Sequence, residues 1–392
     1  MTSSQIEQPR IDNKKLFAQY YTCENVGDFL IKNLPTMSPR NIIDLCMGEG
    51  ALLHSANKVF DGAKLVGCDI DALNVAKQHS SSIINCHHLD SSTSQLEKFF
   101  NLSTFDLVLG NPPFNNIEQT DYIKNIFNNF GLDLNYKKIP SALLFLIIGI
   151  RIVKEDGFVS YIIPDSLLTN NSFKKFREIL ISQYEVISVV QLGNKKFEGT
   201  EAHTHIITIK NKVLKNNYKI QIKHYENQSQ PIYISKEQFI NRADYSYWNK
   251  ATSIKSCRLE DLGAQLFRGK LTHKQLKNQN RPYIHTTHLN DNYAEFYNQD
   301  SSSLCYDAKS GDIVVSRVGT RSLGKIGFVK TGAFLISDCI ILIRIEKQHQ
   351  YTVLNTLNSD FGRSWLESVS KGVGARHITL ADLKGLPIYN DC

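Results

Sequence analysis

Between residues 41 and 210 the chain alternates short, continuous apolar runs with longer mixed ones, and this alternation restricts its fold more than any other feature. The apolar runs fall at 42–46, 65–70, 83–87, 105–109, 158–163, 186–191 and 205–210, and are rich in Ile, Val and Leu. Between them, the stretches 51–60, 72–79, 95–100, 141–154 and 173–183 have helical composition. Strands that are apolar along their whole length, separated by helices, belong to a mostly parallel sheet covered on both faces. The expected class is therefore α/β. Sheets of this kind bind ligands at the carboxyl ends of their strands, so the loops after those strands are where chemistry is to be sought.

After residue 210 the texture changes. Residues 212–230 are rich in Lys and Asn with little apolar periodicity, and read as a linker or the start of a second domain. Strands and Gly-rich turns then predominate, as in 310–345, with helical segments near 353–370 and 380–383. A boundary near 215/216 follows, with a linker-like region at about 212–245. Charge divides in the same sense. Residues 1–200 hold 19 Lys and Arg against 21 Asp and Glu, a balance of −2, and residues 201–392 hold 26 against 17, a balance of +9. A cationic half of this kind suits a polyanionic partner, or is a basic surface without one.

Eight cysteines are scattered with no CxxC spacing, which favours reduced thiols in a cytoplasmic setting over a zinc ribbon. The pairs His203/His205 and His285/His288 have no cysteine nearby, and no metal site is expected. The longest apolar run, 142–150, is far short of the ~20 residues that cross a bilayer. The first ten residues are polar and no apolar signal segment follows, so neither membrane nor secretion is expected.

Three strand ends carry candidate chemistry. Asp44-Leu45-Cys46-Met47-Gly48-Glu49-Gly50 is a strand entering a tight turn before a helix. It lacks the third glycine of a dinucleotide fingerprint and places Glu49 where pyrophosphate would sit, so a nucleoside without phosphates, such as S-adenosyl-L-methionine, fits better. An ordinary α/β turn would also suit these residues. Asp69, at the tip of the second strand, can take both hydroxyls of a ribose. Asp90, after the third, is either an acceptor for an exocyclic amine or a helix cap.

The fourth strand runs into Gly110-Asn111-Pro112-Pro113-Phe114. Two prolines fix the backbone and remove two donors, leaving carbonyls and one side-chain amide in a set array. An amine on an aromatic ring is a poor nucleophile. The Asn111 amide oxygen and the Pro112 carbonyl can hold its two N–H groups as its nitrogen becomes tetrahedral, favouring the transition state. Phe114 offers a face on which a planar base can stack.

These motifs resemble the gamma-class DNA adenine-N6 methyltransferases of restriction–modification systems, and the resemblance covers nearly the whole chain in the family's order of motifs. Gln19-Tyr20-Tyr21-Thr22 before a helix, the Asp44–Gly50 turn, the Asn-Pro-Pro-Phe loop and the segment 157–164 all carry it. It implies a Rossmann-like class I methyltransferase with a mostly parallel seven-stranded sheet, and S-adenosyl-L-methionine as cofactor. It places Thr22, Asp44 and Cys46 at the methionine end and Asp69 on the ribose. Ile70 and Phe145 would lie against the adenine, with Asp90 on its amino group. Phe197, after Leu192-Gly193, corresponds to a second aromatic against a flipped target base, with one residue more than the family's spacing. Extrusion of that base from a duplex costs a few kcal/mol, which stacking and hydrogen bonds offset.

In the second half, residues 259–263, 311–320 and 378–387 resemble the target-recognition domains of type I specificity subunits and of fused restriction–methylation enzymes. This implies an α+β DNA-recognition domain over 216–392, after a catalytic domain over 1–215. The segment Gly319 to Lys325 matches a P-loop up to its last position, where Ile326 stands instead of Ser or Thr, so it reads as a turn between strands. Its Arg317, Arg321 and Lys325 suit DNA phosphates, or a guanine edge for arginine, or are solvated. The residues around Lys371 and Arg376-His377 form a further basic cluster.

Site-specific methylation of adenine in duplex DNA is thus the expected activity, with a separate restriction endonuclease left open as a partner. About 20 residues precede the first cofactor motif, too few for a fused nuclease. Methylation of RNA or of a protein glutamine is the alternative activity, and a non-catalytic DNA-binding subunit the alternative class.

Overall fold

The computed structural model describes residues 22–79, 82–133, 136–193, 204–212, 218–226, 231–251, 257–291, 293–299, 307–371 and 375–388. The chain divides into two units, Met1–Tyr245 and Ser246–Cys392.

In the first unit the apolar runs form β1 (Asn41–Asp44), β2 (Lys64–Asp69), β3 (Ile84–His88) and β4 (Phe105–Gly110). A small hairpin of β5 (Asn116–Glu118) and β6 (Lys138–Pro140) stands apart, followed by β7 (Val153–Pro164), β8 (Glu185–Gln191), β9 (Thr204–Lys210), β10 (Ile220–His224) and β11 (Ile232–Ile234). Leaving out the hairpin, these strands make one sheet in the order β11-β10-β8-β9-β7-β4-β1-β2-β3. It has nine strands rather than the expected seven, and of its eight pairings five are parallel and three antiparallel. Strand β9 runs against both neighbours, β7 and β8, and β11 runs against β10. Five of the seven continuous apolar runs form the parallel block β3-β2-β1-β4-β7, and the other two, 186–191 and 205–210, form β8 and β9.

Helices α1 (Glu24–Lys32), α2 (Ala51–Asn57), α3 (Ala72–His79), α4 (Asp121–Phe130), α5 (Ser141–Ile152) and α6 (Lys174–Gln183) accompany the sheet. Only Arg151 of α5 escapes burial, as expected for a helix that is apolar all round. It stops at Ile152, two residues before the expected end, because Val153 already belongs to β7. The stretch expected to be helical at 95–100 shortens to Leu96–Phe99.

The boundary expected at 215/216 moves to 245/246. The supposed linker holds β10, which pairs in parallel with β8 and buries Ile220 and Ile222 while Gln221 stays half-exposed. Farther on, the fully buried guanidinium of Arg177 donates to the carbonyls of Ile240, Asn241, Leu167 and Asn170, tying residues 240–241 to the first unit. A buried cation needs such partners, and burial still lowers its pKa to about 10. With the corrected boundary, residues 1–245 hold 26 Lys and Arg against 25 Asp and Glu, and residues 246–392 hold 19 against 13. The balances become +1 and +6.

The second unit is α+β. Its strands are β12 (Gln265–Arg268), β13 (Tyr283–Ile284), β14 (Ala294–Tyr297), β15 (Ala308–Lys309), β16 (Ile313–Ser316), β17 (Ile326–Thr331), β18 (Ala333–Ile336) and β19 (Ile340–Arg344). They form a five-stranded sheet, β12-β19-β16-β17-β14, and a three-stranded one, β13-β18-β15. The helical stretch expected at 353–370 is two helices, α7 (Lys347–Asn358) and α8 (Asp360–Val369), parted at Ser359, whose hydroxyl caps α8 by accepting from the Gly362 N–H. Helix α9 (Leu380–Lys384) follows. Ile313, Val315, Ile341 and Ile343 of the sheet pack with Val353, Trp365 and Leu366 of the helices.

The three recognition-like segments are neighbours in space. Leu259 N–H donates to Leu386 at 2.9 Å, Ile378 N–H to Arg317 at 2.9 Å, and Gly319 N–H to Arg376 at 2.9 Å. After the turn at 319–325 comes strand β17 rather than a helix, which is incompatible with a P-loop. Among the described residues no helix is long and apolar enough to cross a membrane.

Candidate active site

The carboxyl ends of β1, β2, β3 and β4 open onto a cavity of about 250 Å³. Thr22, Asp44, Cys46, Gly48, Asp69, Ile70, Asp90 and Phe145, read from the sequence as cofactor residues, all line it, as does Asn111, read from the sequence both as a cofactor residue and as the acceptor for the target amine.

The turn after β1 is built by backbone. Gly48 and Gly50 have φ of 55° and 79°, which only glycine adopts without strain. That conformation aims the Gly48 N–H at Asp69 Oδ2, 2.7 Å away. Asp69 Oδ1 accepts from the Asp71 N–H at 2.8 Å, so the carboxylate is clamped from both sides. Gly67 of β2 was not singled out in the sequence, yet a Cβ there would collide with Met47 Sδ of the turn. Asp90 Oδ1 accepts from the Ser92 N–H at 2.9 Å and the Ser92 hydroxyl at 2.6 Å, a local turn rather than a helix cap, since the next helix begins only at Leu96 behind Gln95, and the residue lines the cavity.

The electrostatics are one-sided. Asp44, Glu49, Asp69 and Asp90 line the cavity, and among the described residues no Lys, Arg or His does. Asp44 is 1% exposed; desolvation chiefly, and the nearby Asp69 charge, push its pKa up to about 7 against the pull of the Cys46 N–H. Burial raises Asp69 as well, partly offset by its N–H donors. The Cys46 thiol is held well above its ordinary range by burial and by both carboxylates, so it is a neutral wall and not a nucleophile. Two carboxylates in a poorly hydrated pocket favour a cation, and disfavour phosphate.

The Asn-Pro-Pro-Phe loop closes one side. Gly110, the last residue of β4, sits on the buried ring of Tyr161, where a Cβ would come within 2.9 Å of the ring. The Asn111 amide donates from Nδ2 to Thr22 Oγ1 at 3.1 Å. Pro113 lines the cavity, whereas Pro112 is buried and does not. Phe114 is half-buried against the core cluster that includes Val26 and Leu30, and is likewise not a lining residue. Phe197 lies outside the described residues.

Ser141 escaped the sequence reading. It is fully buried at the head of α5, and its hydroxyl contacts the carbonyls of Pro113 and Asn115 and the Asn115 side chain, while its N–H donates to Asn115 O at 3.0 Å. It thereby fixes the end of the loop. The only signal was a polar residue opening an apolar run.

In the second unit, Arg317 donates to the carbonyls of Ile378 and Asp338 at 3.3 Å each. Lys325 is paired with Asp291 at 2.9 Å, and Arg321 is exposed. Arg321 and Lys325 line a smaller cavity of about 130 Å³ with Arg363, and Arg317 does not.

Residues 57–197 match the family described as Eco57I restriction-modification methylase. Over 197 residues, 49% of this chain, it is 20% identical to the type II methyltransferase M.CvrRI of Paramecium bursaria Chlorella virus XZ-6E. It is 24% identical over 231 residues, 50% of the chain, to M.BanIII of Aneurinibacillus aneurinilyticus. The chain spans 48% and 38% of these two relatives. Among solved structures, the type IIL restriction-modification enzyme MmeI in complex with DNA shares the fold with a TM-score of 0.53 and 11% identity, over 97% of this chain and 65% of that one. The first half of the chain is thus similar to methyltransferases of restriction–modification systems.

Proposed function

We propose that the protein is an S-adenosyl-L-methionine-dependent DNA methyltransferase of the restriction–modification kind, acting on the N6 amino group of an adenine flipped out of duplex DNA. The observation that carries this reading is a cavity beside the Asn-Pro-Pro-Phe loop that, among the described residues, is lined by four acids and no base. The family match over 57–197 supports the methyltransferase part.

The residues fit the cofactor. Asp69, clamped by backbone N–H groups, has the fixed geometry that two ribose hydroxyls need. Asp44 and Thr22 hold the cationic methionine end, Asp90 accepts from the adenine amino group, and Ile70 and Phe145 cover the ring. When bound, the cofactor supplies an electrophilic methyl group on a positively charged sulfur. The protein's own part is positioning and dipoles. Asn111 Oδ1 and the Pro112 carbonyl accept from the target amine, so its lone pair is localised as the nitrogen attacks. Phe114 and Phe197 stack on the base. Once the N–C bond forms and the methyl–sulfur bond breaks, the amine loses one proton to solvent. No covalent enzyme intermediate is formed. Residues 246–392 select the DNA sequence, and a separate restriction endonuclease is compatible with this role.

The test is incubation of the full chain with methyl-labelled cofactor and either duplex DNA, RNA or a glutamine-bearing protein. Label on N6 of adenine in the duplex is the expected result. Label on RNA or protein alone would overturn the substrate assignment, and cofactor binding without transfer would favour a non-catalytic DNA-binding subunit.

A further inference from the structure

A cluster of imidazoles and guanidiniums surrounds the turn between β18 and β19, at residues 337–339. Arg268 Nε and Arg317 Nη1 both donate to the carbonyl oxygen of Asp338, at 3.2 and 3.3 Å. Two cations held on one oxygen repel each other, a cost that a bound anion would offset. On one side of the turn, His285 Nδ1 is 2.8 Å from Ser337 Oγ, and the His285 ring stacks on His273 at 3.9 Å and 16°. His288 Nδ1 accepts from the His285 N–H at 3.3 Å. On the other side, His377 precedes Ile378, whose carbonyl takes Arg317 Nε.

The surroundings are mostly cationic. His285 is faced by His273, His288, Lys277 and one acid, Asp338. His377 is faced by Arg317, Lys371, Arg268 and one acid, Asp382, which is already bonded to Lys371 at 2.8 Å. Arg268 and His288 are exposed, while His273, His285, Arg317 and His377 are half-exposed, so the cluster is open to a large partner. A metal is the wrong ligand: face-to-face imidazoles cannot aim their nitrogen lone pairs at one ion, and among the described residues no metal-holding group of three occurs.

We propose that Arg268, His273, His285, His288, Arg317 and His377 form the phosphate-contacting surface of the second unit, and that duplex DNA binds there with uptake of protons by the imidazoles. This deepens the DNA reading given above and rests on it. Burial and the neighbouring cations hold His285 and His377 below the usual imidazole range, so both are neutral at pH 7. Phosphates brought against them reverse that balance and raise both pKa values. DNA affinity therefore rises as pH falls.

The test is fluorescence anisotropy of the full chain with a fluorescein-labelled mixed-sequence duplex at about pH 6 and about pH 8, the span over which histidine changes charge. Wild type should bind roughly tenfold more tightly at the lower pH, the effect of one proton taken up over about one pH unit. H285Q/H377Q, which lacks both of these imidazoles, should bind with little difference between the two pH values. R268A, at an exposed position, should reduce the slope of log affinity against log salt by about 1 at either pH. That second variant keeps the proposal open to test if the histidine pair fails to fold, as judged by a thermal melt. Variants that keep the wild-type pH and salt dependence would overturn this surface while leaving the DNA methyltransferase reading intact. Cofactor binding without duplex binding at either pH would overturn both. Duplex binding with the expected pH and salt effects, but no methyl transfer, would sustain this surface and overturn only the catalytic assignment.

Discussion

Asn111 donates a side-chain N–H to Thr22 Oγ1 across 3.1 Å, joining residues 89 positions apart. In this arrangement Nδ2 is the end of the amide that donates to Thr22. This turns Oδ1 the other way, so that end can accept from an amine.

Replacing Asn111 by Ala should therefore lower kcat by about 10²–10³-fold, the range seen when one preorganised hydrogen-bonding group is removed from an active site. Duplex affinity, read by anisotropy, should stay near wild type. Thr22→Val keeps the volume and removes the hydroxyl, and should lower kcat by a smaller factor. A full-rate Asn111→Ala enzyme would sink the mechanism.

Asp44 predicts a pH dependence whose sign can be worked out. Its pKa in the ligand-free protein is about 7, well above the ordinary carboxylate range. A raised folded-state pKa means this group stabilises the ligand-free protein fully below about pH 4 and loses that contribution as pH rises through 7. A cationic cofactor needs the carboxylate, so cofactor affinity should run the opposite way, increasing between about pH 5.5 and 7.5. Calorimetric titrations over that window should show this for wild type and a flat, weaker profile for Asp44→Asn. Equal slopes for the two proteins would exclude Asp44 as the titrating group.

The parallel strands, the Asp44–Gly50 turn and the Asn-Pro-Pro-Phe loop were legible because each is a contiguous signal: an unbroken apolar run, or fixed residue types at fixed spacing. Strand β10 was not. Its buried residues are only Ile220 and Ile222, alternating with Gln221 and Lys223 in a Lys- and Asn-rich stretch, so composition outweighed period. Ser141 and Gly67 act through contacts that close only in three dimensions, with the Pro113 carbonyl and Met47 Sδ. The cationic cluster has the same character: His285 and Arg317, 32 positions apart, both reach the turn at 337–339, through Ser337 and the Asp338 carbonyl. Chemistry carried by contiguous motifs is written in sequence, even when several strands bring those motifs together; chemistry that rests on single scattered residues is not.

Ser141→Ala should separate positioning from packing. It removes hydroxyl contacts to Pro113 and Asn115 and leaves buried acceptors short of a partner, at a cost of about 1–3 kcal/mol. Thermal melts should show that loss. Steady-state kinetics should show kcat falling with little change in the KM for cofactor, since the loop, and not the Asp69 clamp, is loosened. A stability loss with unchanged kcat would make Ser141 purely structural.

The shifted boundary gives the sharpest contrast between two truncations. A fragment ending at residue 245 keeps β10, β11 and the carbonyls of Ile240 and Asn241 on Arg177, so it should fold and bind cofactor. A fragment ending at 215 exposes the β8 edge and leaves the buried Arg177 guanidinium with two of its four carbonyl partners. Loss of partners to a buried charge costs about 3–5 kcal/mol, a large share of the 5–15 kcal/mol stability of an ordinary domain. Circular dichroism melts and cofactor titrations of the two fragments should place the longer near the full chain and the shorter well below it. The longer fragment, lacking the unit that reads DNA, should methylate without sequence selectivity or not at all; one that still marked a single site would refute the assignment of residues 246–392 to recognition.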